Sequence, residues 1–317
     1  MTFSVVIAAY QAASTVGEAI RSVLSQTRQD FEVIVVDDGS RDATAAVAEA
    51  IAAEDHRVRV HGQANAGPSA ARNRGISAGA GKYVSMLDSD DLWLPEYLAE
   101  MGRALDLDPQ AGFAYTEAWE FDEASGRFRK GTAMGRQHPP EKTLPHERFV
   151  SELMQRNFVY NSVTVRRSVL EQVGGYDEGM KHGEDYELWL RIAISDFTAI
   201  RVPGPLAIKR DSPSSLTNDT AAMSAGVRDA YRAVLERHPA SPRVRALAMA
   251  RLDELRQAES RRSSRKGRLL LAGRGVLAAA TRGRRARRRQ RAEPPPGVAR
   301  AFPGLGLVES GGRRRAR

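Results

Sequence analysis

Four times within its first 91 residues the chain passes from a short apolar run through a polar turn, and no other feature restricts its fold as much. Phe3–Ala8 (FSVVIA), Phe31–Val36 (FEVIVV), Val58–Val60 and Tyr83–Leu87 are continuous apolar runs, the pattern of strands buried on both faces. Amphipathic stretches separate them. Thr15 and Glu18 have the spacing of a capping box, and Val16, Ala19, Ile20, Val23 and Leu24 share one helical face. A second helix places Ala43, Ala46, Val47, Ala50 and Ile51 on one face, and Pro68 suits the first position of a third, which ends near Gly79–Gly81. This alternation predicts an α/β fold, a Rossmann-like, mostly parallel central sheet flanked by helices. Ligands bind such sheets at the carboxyl ends of the strands. Three of those ends carry pointed chemistry: Ala8–Tyr10, Asp37-Asp38 and Asp88–Asp91.

The last of these is the densest. Asp88-Ser89-Asp90-Asp91 puts three carboxylates into four residues at the mouth of a buried strand. They repel one another unless a cation sits there. A hard divalent ion shared with substrate phosphate oxygens is the simplest candidate; a solvated turn is the alternative. An EF-hand loop starting at Asp88 is excluded, because Trp93 stands where it needs glycine and Ala99 where it needs glutamate. The first turn has no G-x-G-x-x-G, and no G-x-x-x-x-G-K-[ST] occurs, so neither a dinucleotide fingerprint nor a P-loop is present. A nucleotide here is left to aromatic and carboxylate contacts. Tyr10 can stack on a base, and Asp38 can accept from a base N–H or a ribose hydroxyl. The bland alternatives are a core tyrosine and a helix cap. Glu184-Asp185, after Gly183, opens a helix about a hundred residues later. One reading is a cap complementing the helix dipole; the other is a general base held rigidly at a helix end.

Elsewhere the pattern predicts a polar helix over 95–105, a strand over 112–116, a mobile loop over 122–138 and a helix over 149–156. A β-like run over 158–165, a helix over 168–174, and a helix over 184–194 with Tyr186, Trp189, Leu190 and Ala193 facing inward come next. An extended run over 200–208 and helices over 221–237 and 243–256 complete the ordered part; Val244, Leu247, Ala248, Leu252 and Leu255 form a stripe in the last. Charge divides the chain. Residues 261–317 hold 18 Lys/Arg and 2 Asp/Glu, whereas residues 1–260 hold 30 and 37. The basic tail reads as disordered from about Arg261. It lacks aromatic interleaving, so no nucleic acid is expected. Its segment Arg268–Ala280 (RLLLAGRGVLAAA) fits an anionic membrane surface, with a plain solvated tail as the equal alternative. With no cysteine in the chain, thiolate chemistry is excluded. The start does not read as a signal peptide and no run suits a spanning helix. The expected location is cytoplasmic, peripheral to the inner face of the membrane if the tail binds it.

Ser4–Tyr10 (SVVIAAY), Ser22–Thr27 (SVLSQT), Phe31–Asp42 (FEVIVVDDGSRD), Asn65–Asn73 (NAGPSAARN), Leu87–Asp91 (LDSDD), Val173–Glu178 (VGGYDE) and Gly183–Arg191 (GEDYELWLR) together resemble the family 2 glycosyltransferases in order and spacing. The resemblance implies a GT-A fold and an inverting transfer of sugar from a nucleotide-diphospho-sugar to an acceptor hydroxyl on a polysaccharide, glycolipid or lipid-linked glycan. It implies that Ala8, Tyr10 and Asp38 contact the base side and that Arg72 lies near the nucleotide. Asp88 then meets the ribose or phosphate region, and Asp90 binds Mg2+ or Mn2+. Asp185 is the implied catalytic base, with Glu184 supporting it. It divides the chain into a nucleotide-sugar half (1–105), an acceptor and base half of the same domain (106–220), C-terminal helices (221–260) and the tail (261–317). One departure stands out. The family's histidine before Ser-Leu-Thr is missing from Lys209–Thr217 (KRDSPSSLT), leaving Lys209 or Arg210 as the nearest cation for the leaving group. A nucleotidyltransferase and a catalytically degenerate GT-A binding or scaffold protein are the alternatives.

Overall fold

A computed structural model describes residues 1–132, 139, 141–159, 162–212, 219–272 and 302. The four apolar runs are β1 (Phe3–Ala9), β2 (Phe31–Asp37), β3 (Val58–Gly62) and β4 (Tyr83–Asp88). They lie parallel in the order β3-β2-β1-β4, connected through α1 (Val16–Leu24), α2 (Thr44–Glu54) and α3 (Pro68–Ala78). The sheet continues through β8 (Val163–Arg166), β6 (Ala111–Asp122), β9 (Thr198–Asp211) and β5 (Leu92–Trp93). Here β8 runs antiparallel to both neighbours, while β6 and β9 are parallel.

Side chains alternate across the sheet and feed two cores, as the period-two geometry of a strand requires. Phe3, Val5 and Ile7 pack with residues of α1, α2 and α4 (Tyr97–Leu107) on one face. Val6, Val84, Met86, Val163 and Val165 pack on the other with α5 (His146–Gln155), α6 (Arg167–Val173), α7 (Glu184–Ile194), α8 (Thr220–Arg237) and α9 (Pro242–Ala272). Every residue of α7 from Tyr186 to Ala193 is buried. A helix enclosed this completely cannot shift without moving its neighbours. Tyr186 Oη donates to the carbonyl of Leu153 (2.6 Å) and lies 2.9 Å from Tyr231 Oη, which joins α7 to α5 and α8.

Five expectations differ from the structure. The capping box does not form: the Thr15 hydroxyl donates to the carbonyl of Ala12 instead, and Glu18 is drawn to Arg210. The buried face of α2 is Thr44, Ala48 and Ile51, with Ala43, Ala46 and Ala50 exposed, because alanine lies on every side of this helix and marks no face. The helix read as polar, α4, buries Tyr97, Leu98, Met101 and Leu105. Within the expected loop over 122–138, Arg127–Thr132 form β7, paired antiparallel with β6, while 133–138 lies outside the described residues. Finally, α9 runs on to Ala272, past the point where the apolar stripe ends. Of the remaining tail only Phe302 is described, and it is buried against Leu92, Phe121, Phe128 and Ile208 rather than solvated. The segment suited to a membrane surface falls mostly outside the described residues. Among the described residues no helix is long and apolar enough to cross a membrane.

Candidate active site

The strand ends converge because β1 is flanked by both acidic strands. Ala8 pairs in register with Asp88 of β4, and Ala9 with Asp37 of β2. The turn after β4 closes when the Asp91 amide donates to the Asp88 carbonyl (3.1 Å). One oxygen from each of Asp88, Asp90 and Asp91 then lies within 4.8 Å of the others, and this triad could hold a metal ion. Oxygen donors at that spacing suit a hard divalent cation. Asp90 stands at the exposed tip of the turn. Protein around its carboxyl group, and next the charge of Asp88, push it up to about 6 against the opposing pull of Lys209 and Arg210. A cation bound there relieves the cost of ionising it. Asp91 is buried and accepts the backbone N–H of Arg210 (3.0 Å), which ties the turn to β9.

Arg72 on α3 joins the two acidic motifs. Its Nη2 donates to Asp88 (3.0 Å) and its Nη1 to Glu184 (2.8 Å), although the two carboxylates are 96 residues apart in sequence. The guanidinium is itself buried, and this pairing raises its pKa further despite desolvation. It also lies over the ring of Tyr176, 5.2 Å from the centroid. The next residue, Asn73, clasps the backbone of Tyr176 from both sides, accepting from its N–H (2.7 Å) and donating to its carbonyl (2.8 Å). Arg191 holds the other end of this turn through the carbonyls of Val173, Gly174 and Gly175, while paired with buried Glu187. His238, just past α8, also reaches Glu187 (3.0 Å).

Gly183 adopts a left-handed conformation (φ 75°) and sets the start of α7. Glu184 and Asp185 follow in its first turn, where the helix dipole favours negative charge. Asp185 Oδ1 accepts the amide of Tyr186 (2.6 Å). Burial and the neighbouring Glu184 charge nonetheless push Asp185 up to about 6. Behind Gly183 the backbone of α8 approaches so closely that an added Cβ would meet the carbonyl carbon of Gly226 at 2.8 Å. A Gly183→Ala substitution therefore combines left-handed strain with a backbone clash. It is expected to lower stability by about 2–4 kcal/mol in urea unfolding.

On the base side, Tyr10 is 50% exposed at the mouth of β1, which removes the alternative of a core tyrosine. Asp38 is not the cap of the helix that follows it. Its oxygens accept from Gln63 Nε2 (2.8 Å) and from the amides of Ala66 (2.8 Å) and Gly67 (2.9 Å), so it shapes the loop leading into α3. Arg210 is committed to the scaffold, pairing with Glu18 and Glu123. The charges of both Lys209 and Arg210 still reach Asp90. The partners missed in sequence are Asn73, Glu187, Arg191 and His238. Asn73, Glu187 and Arg191 lie in stretches that carry the family resemblance, and Glu187 and Arg191 have the i, i+4 spacing of a helical ion pair; His238 had no local signal.

Residues 4–174 match the family described as Glycosyl transferase family 2. The succinoglycan biosynthesis protein ExoO of Rhizobium meliloti is 39% identical over 188 residues, covering 58% of this chain and 53% of that protein. The putative glycosyltransferase EpsH of Bacillus subtilis is 32% identical over 171 residues, covering 53% and 48%. The chain thus spans about half the length of these relatives. Among solved structures, S. aureus TarS 1–349 in complex with UDP-GlcNAc superposes with a TM-score of 0.61 at 19% identity, covering 80% of this chain and 72% of that one. The mannosyltransferase PcManGT from Pyrobaculum calidifontis, in complex with GDP-Man and Mn2+, gives 0.59 at 17%, covering 86% and 79%. The fold is GT-A. With more than half its length matched, the chain belongs to the family 2 glycosyltransferases.

Proposed function

We propose that the protein is an inverting glycosyltransferase that moves a sugar from a nucleotide-diphospho-sugar to an acceptor hydroxyl in polysaccharide synthesis. The observation that carries this reading is the Arg72 bridge, which sets the metal-capable turn at Asp88–Asp91 and the carboxylate pair at Glu184-Asp185 on opposite sides of one guanidinium. A relative named for succinoglycan biosynthesis supports the polysaccharide assignment.

In this reading Tyr10 and the loop shaped by Asp38 receive the base, and Asp88 faces the ribose and phosphates. Asp90 is the principal ligand of a Mg2+ or Mn2+ ion, which when bound neutralises charge developing on the diphosphate. Asp185 accepts the acceptor hydroxyl's proton while that oxygen forms its bond to the anomeric carbon. The bond from that carbon to the phosphate oxygen breaks on the opposite face, and the nucleoside diphosphate leaves. Glu184, paired to Arg72, keeps the carboxylate pair in place. The acceptor is a glycan or lipid-linked hydroxyl.

Release of nucleoside diphosphate across a panel of sugar donors, with glycan acceptors, tests the assignment; no release with any donor removes it. Asp90→Ala is expected to weaken Mn2+-dependent binding of nucleoside diphosphate by about tenfold or more while leaving metal-free binding unchanged, the loss of one charge-assisted contact. Titration calorimetry with and without Mn2+ reads the difference, and identical curves for the two proteins contradict the role given to Asp90.

A further inference from the structure

One polar group at the floor of the site has no part in the mechanism above. Tyr176 is 4% exposed, and its hydroxyl oxygen meets no hydrogen-bond partner among the described residues. The ring is fixed. Asn73 holds its backbone from both sides, and the Arg72 guanidinium covers its face. Burial, opposed by Arg72 and reinforced by the charges of Asp185, Asp88 and Glu184, keeps the phenol well above its ordinary range, so it remains a neutral O–H donor at all working pH values.

An unmade hydrogen bond at a buried hydroxyl is destabilising, and phenylalanine would fill the same space without that cost. A ligand atom repays it only if its chemistry suits the neighbours. The charges of Asp185, Asp88 and Glu184 all act on this phenol, and ionised carboxylates only accept hydrogen bonds. A phosphate oxygen also only accepts, so it can satisfy the phenol but none of the carboxylates. A sugar hydroxyl does both: it donates to a carboxylate and offers its lone pairs to a donor. Arg72 shields the phenol as long as Asp88 and Glu184 both hold it. A ligand that takes Asp88 from Arg72 frees the guanidinium to turn aside.

We propose that Tyr176 is a donor-sugar recognition residue, its hydroxyl donating to a hydroxyl oxygen of the transferred sugar once Arg72 is drawn off Asp88. This rests on the nucleotide-sugar reading given above. It adds a contact that distinguishes the sugar nucleotide from the bare nucleoside diphosphate.

Tyr176→Phe in the full chain removes one oxygen and keeps the ring. Binding of UDP, GDP, UDP-GlcNAc, UDP-glucose and GDP-mannose in Mn2+ is measured by calorimetry for both proteins, with thermal unfolding alongside. The variant is expected to bind the nucleoside diphosphate as the wild type does and to bind the matching sugar nucleotide about 3–10-fold more weakly, the worth of one hydrogen bond. Its unfolding temperature is expected to equal or exceed that of the wild type, which separates the binding loss from any folding defect. Equal affinity of both proteins for the sugar nucleotide overturns the inference and leaves the nucleotide-sugar reading standing. An equal loss for the sugar nucleotide and the bare diphosphate also overturns it, by placing the hydroxyl on the nucleotide side. If the wild type binds none of the five, the nucleotide-sugar reading fails and the inference falls with it.

Discussion

Asp185→Asn is expected to lower sugar transfer by about 10²–10⁴-fold while leaving nucleotide affinity within about twofold, the usual scale for losing a positioned general base. Asparagine keeps the shape and still accepts the Tyr186 amide, but it takes no proton. The same variant is expected to be more stable near pH 7.5. The carboxyl of Asp185 titrates near 6 in the folded chain, above its unfolded value, so the native state holds the proton more tightly. The stability linked to it is fully present below the unfolded pKa and is lost as pH rises through about 6. Above that pH an ionised Asp185 beside Glu184 costs on the order of 1–2 kcal/mol after allowing for its partial exposure, and asparagine avoids the cost. Thermal unfolding at pH 4 and pH 7.5 reads this directly: a gain at the higher pH only. Near-wild-type turnover would sink the assignment of the base, and equal unfolding temperatures at pH 7.5 would sink the stored cost. Wild-type activity itself is expected to fall as pH drops through about 6, since Asp90 and Asp185 both protonate there. Added Mn2+ is expected to recover the part due to Asp90 alone.

Arg72→Met is the second large effect. The methionine fills the space over Tyr176 but leaves Asp88, Glu184 and Asp185 facing one another without the buried cation that separates them. Removing one partner of a buried ion pair costs about 3–5 kcal/mol, and the partial exposure of Asp88 and Glu184 reduces this to about 2–3. Mn2+ is expected to stabilise the variant more than the wild type, because a divalent ion near Asp88 relieves the same repulsion. Arg72→Lys is expected to recover only part of the stability, since an ammonium cannot reach both carboxylates with a rigid fork. A metal-induced rise in unfolding temperature that is the same for variant and wild type would contradict this account of Arg72.

Much of this arrangement was legible before any coordinates, because it rests on local rules. Continuous apolar runs gave the parallel half of the sheet, Pro68 opened its helix, and the strand ends pointed to Ala8, Asp38 and Asp88. The apolar stripe from Val244 to Leu255 faces the core as its spacing requires. Other features depend on partners distant in sequence. Thr15 and Glu18 satisfy a capping pattern, yet Arg210, 192 residues away, outcompetes the helix end for Glu18. Polar sequence over 122–132 suggested a loop, but pairing with β6 decides its conformation. Asp38 looked free to meet a ligand or to cap the next helix; backbone amides of a later loop engage it instead. The clasp of Asn73 and Arg191 on the turn after α6 involves backbone carbonyls, which no side-chain pattern discloses.

The backbone contact between Gly183 and Gly226 bears on how such enzymes can be recombined. The family match stops at residue 174, ten residues before α7 begins, and that helix is seated against α8. A chimera spliced at the end of the matched segment takes the Asp88–Asp91 turn from one parent and the Glu184-Asp185 pair from the other. Its seam falls across Asn73–Tyr176 and Arg72–Glu184, the bonds that hold the two halves together. Exchanging α7 between relatives therefore calls for a transplant that runs from about residue 173 through α8, with the glycine pair carried as a unit.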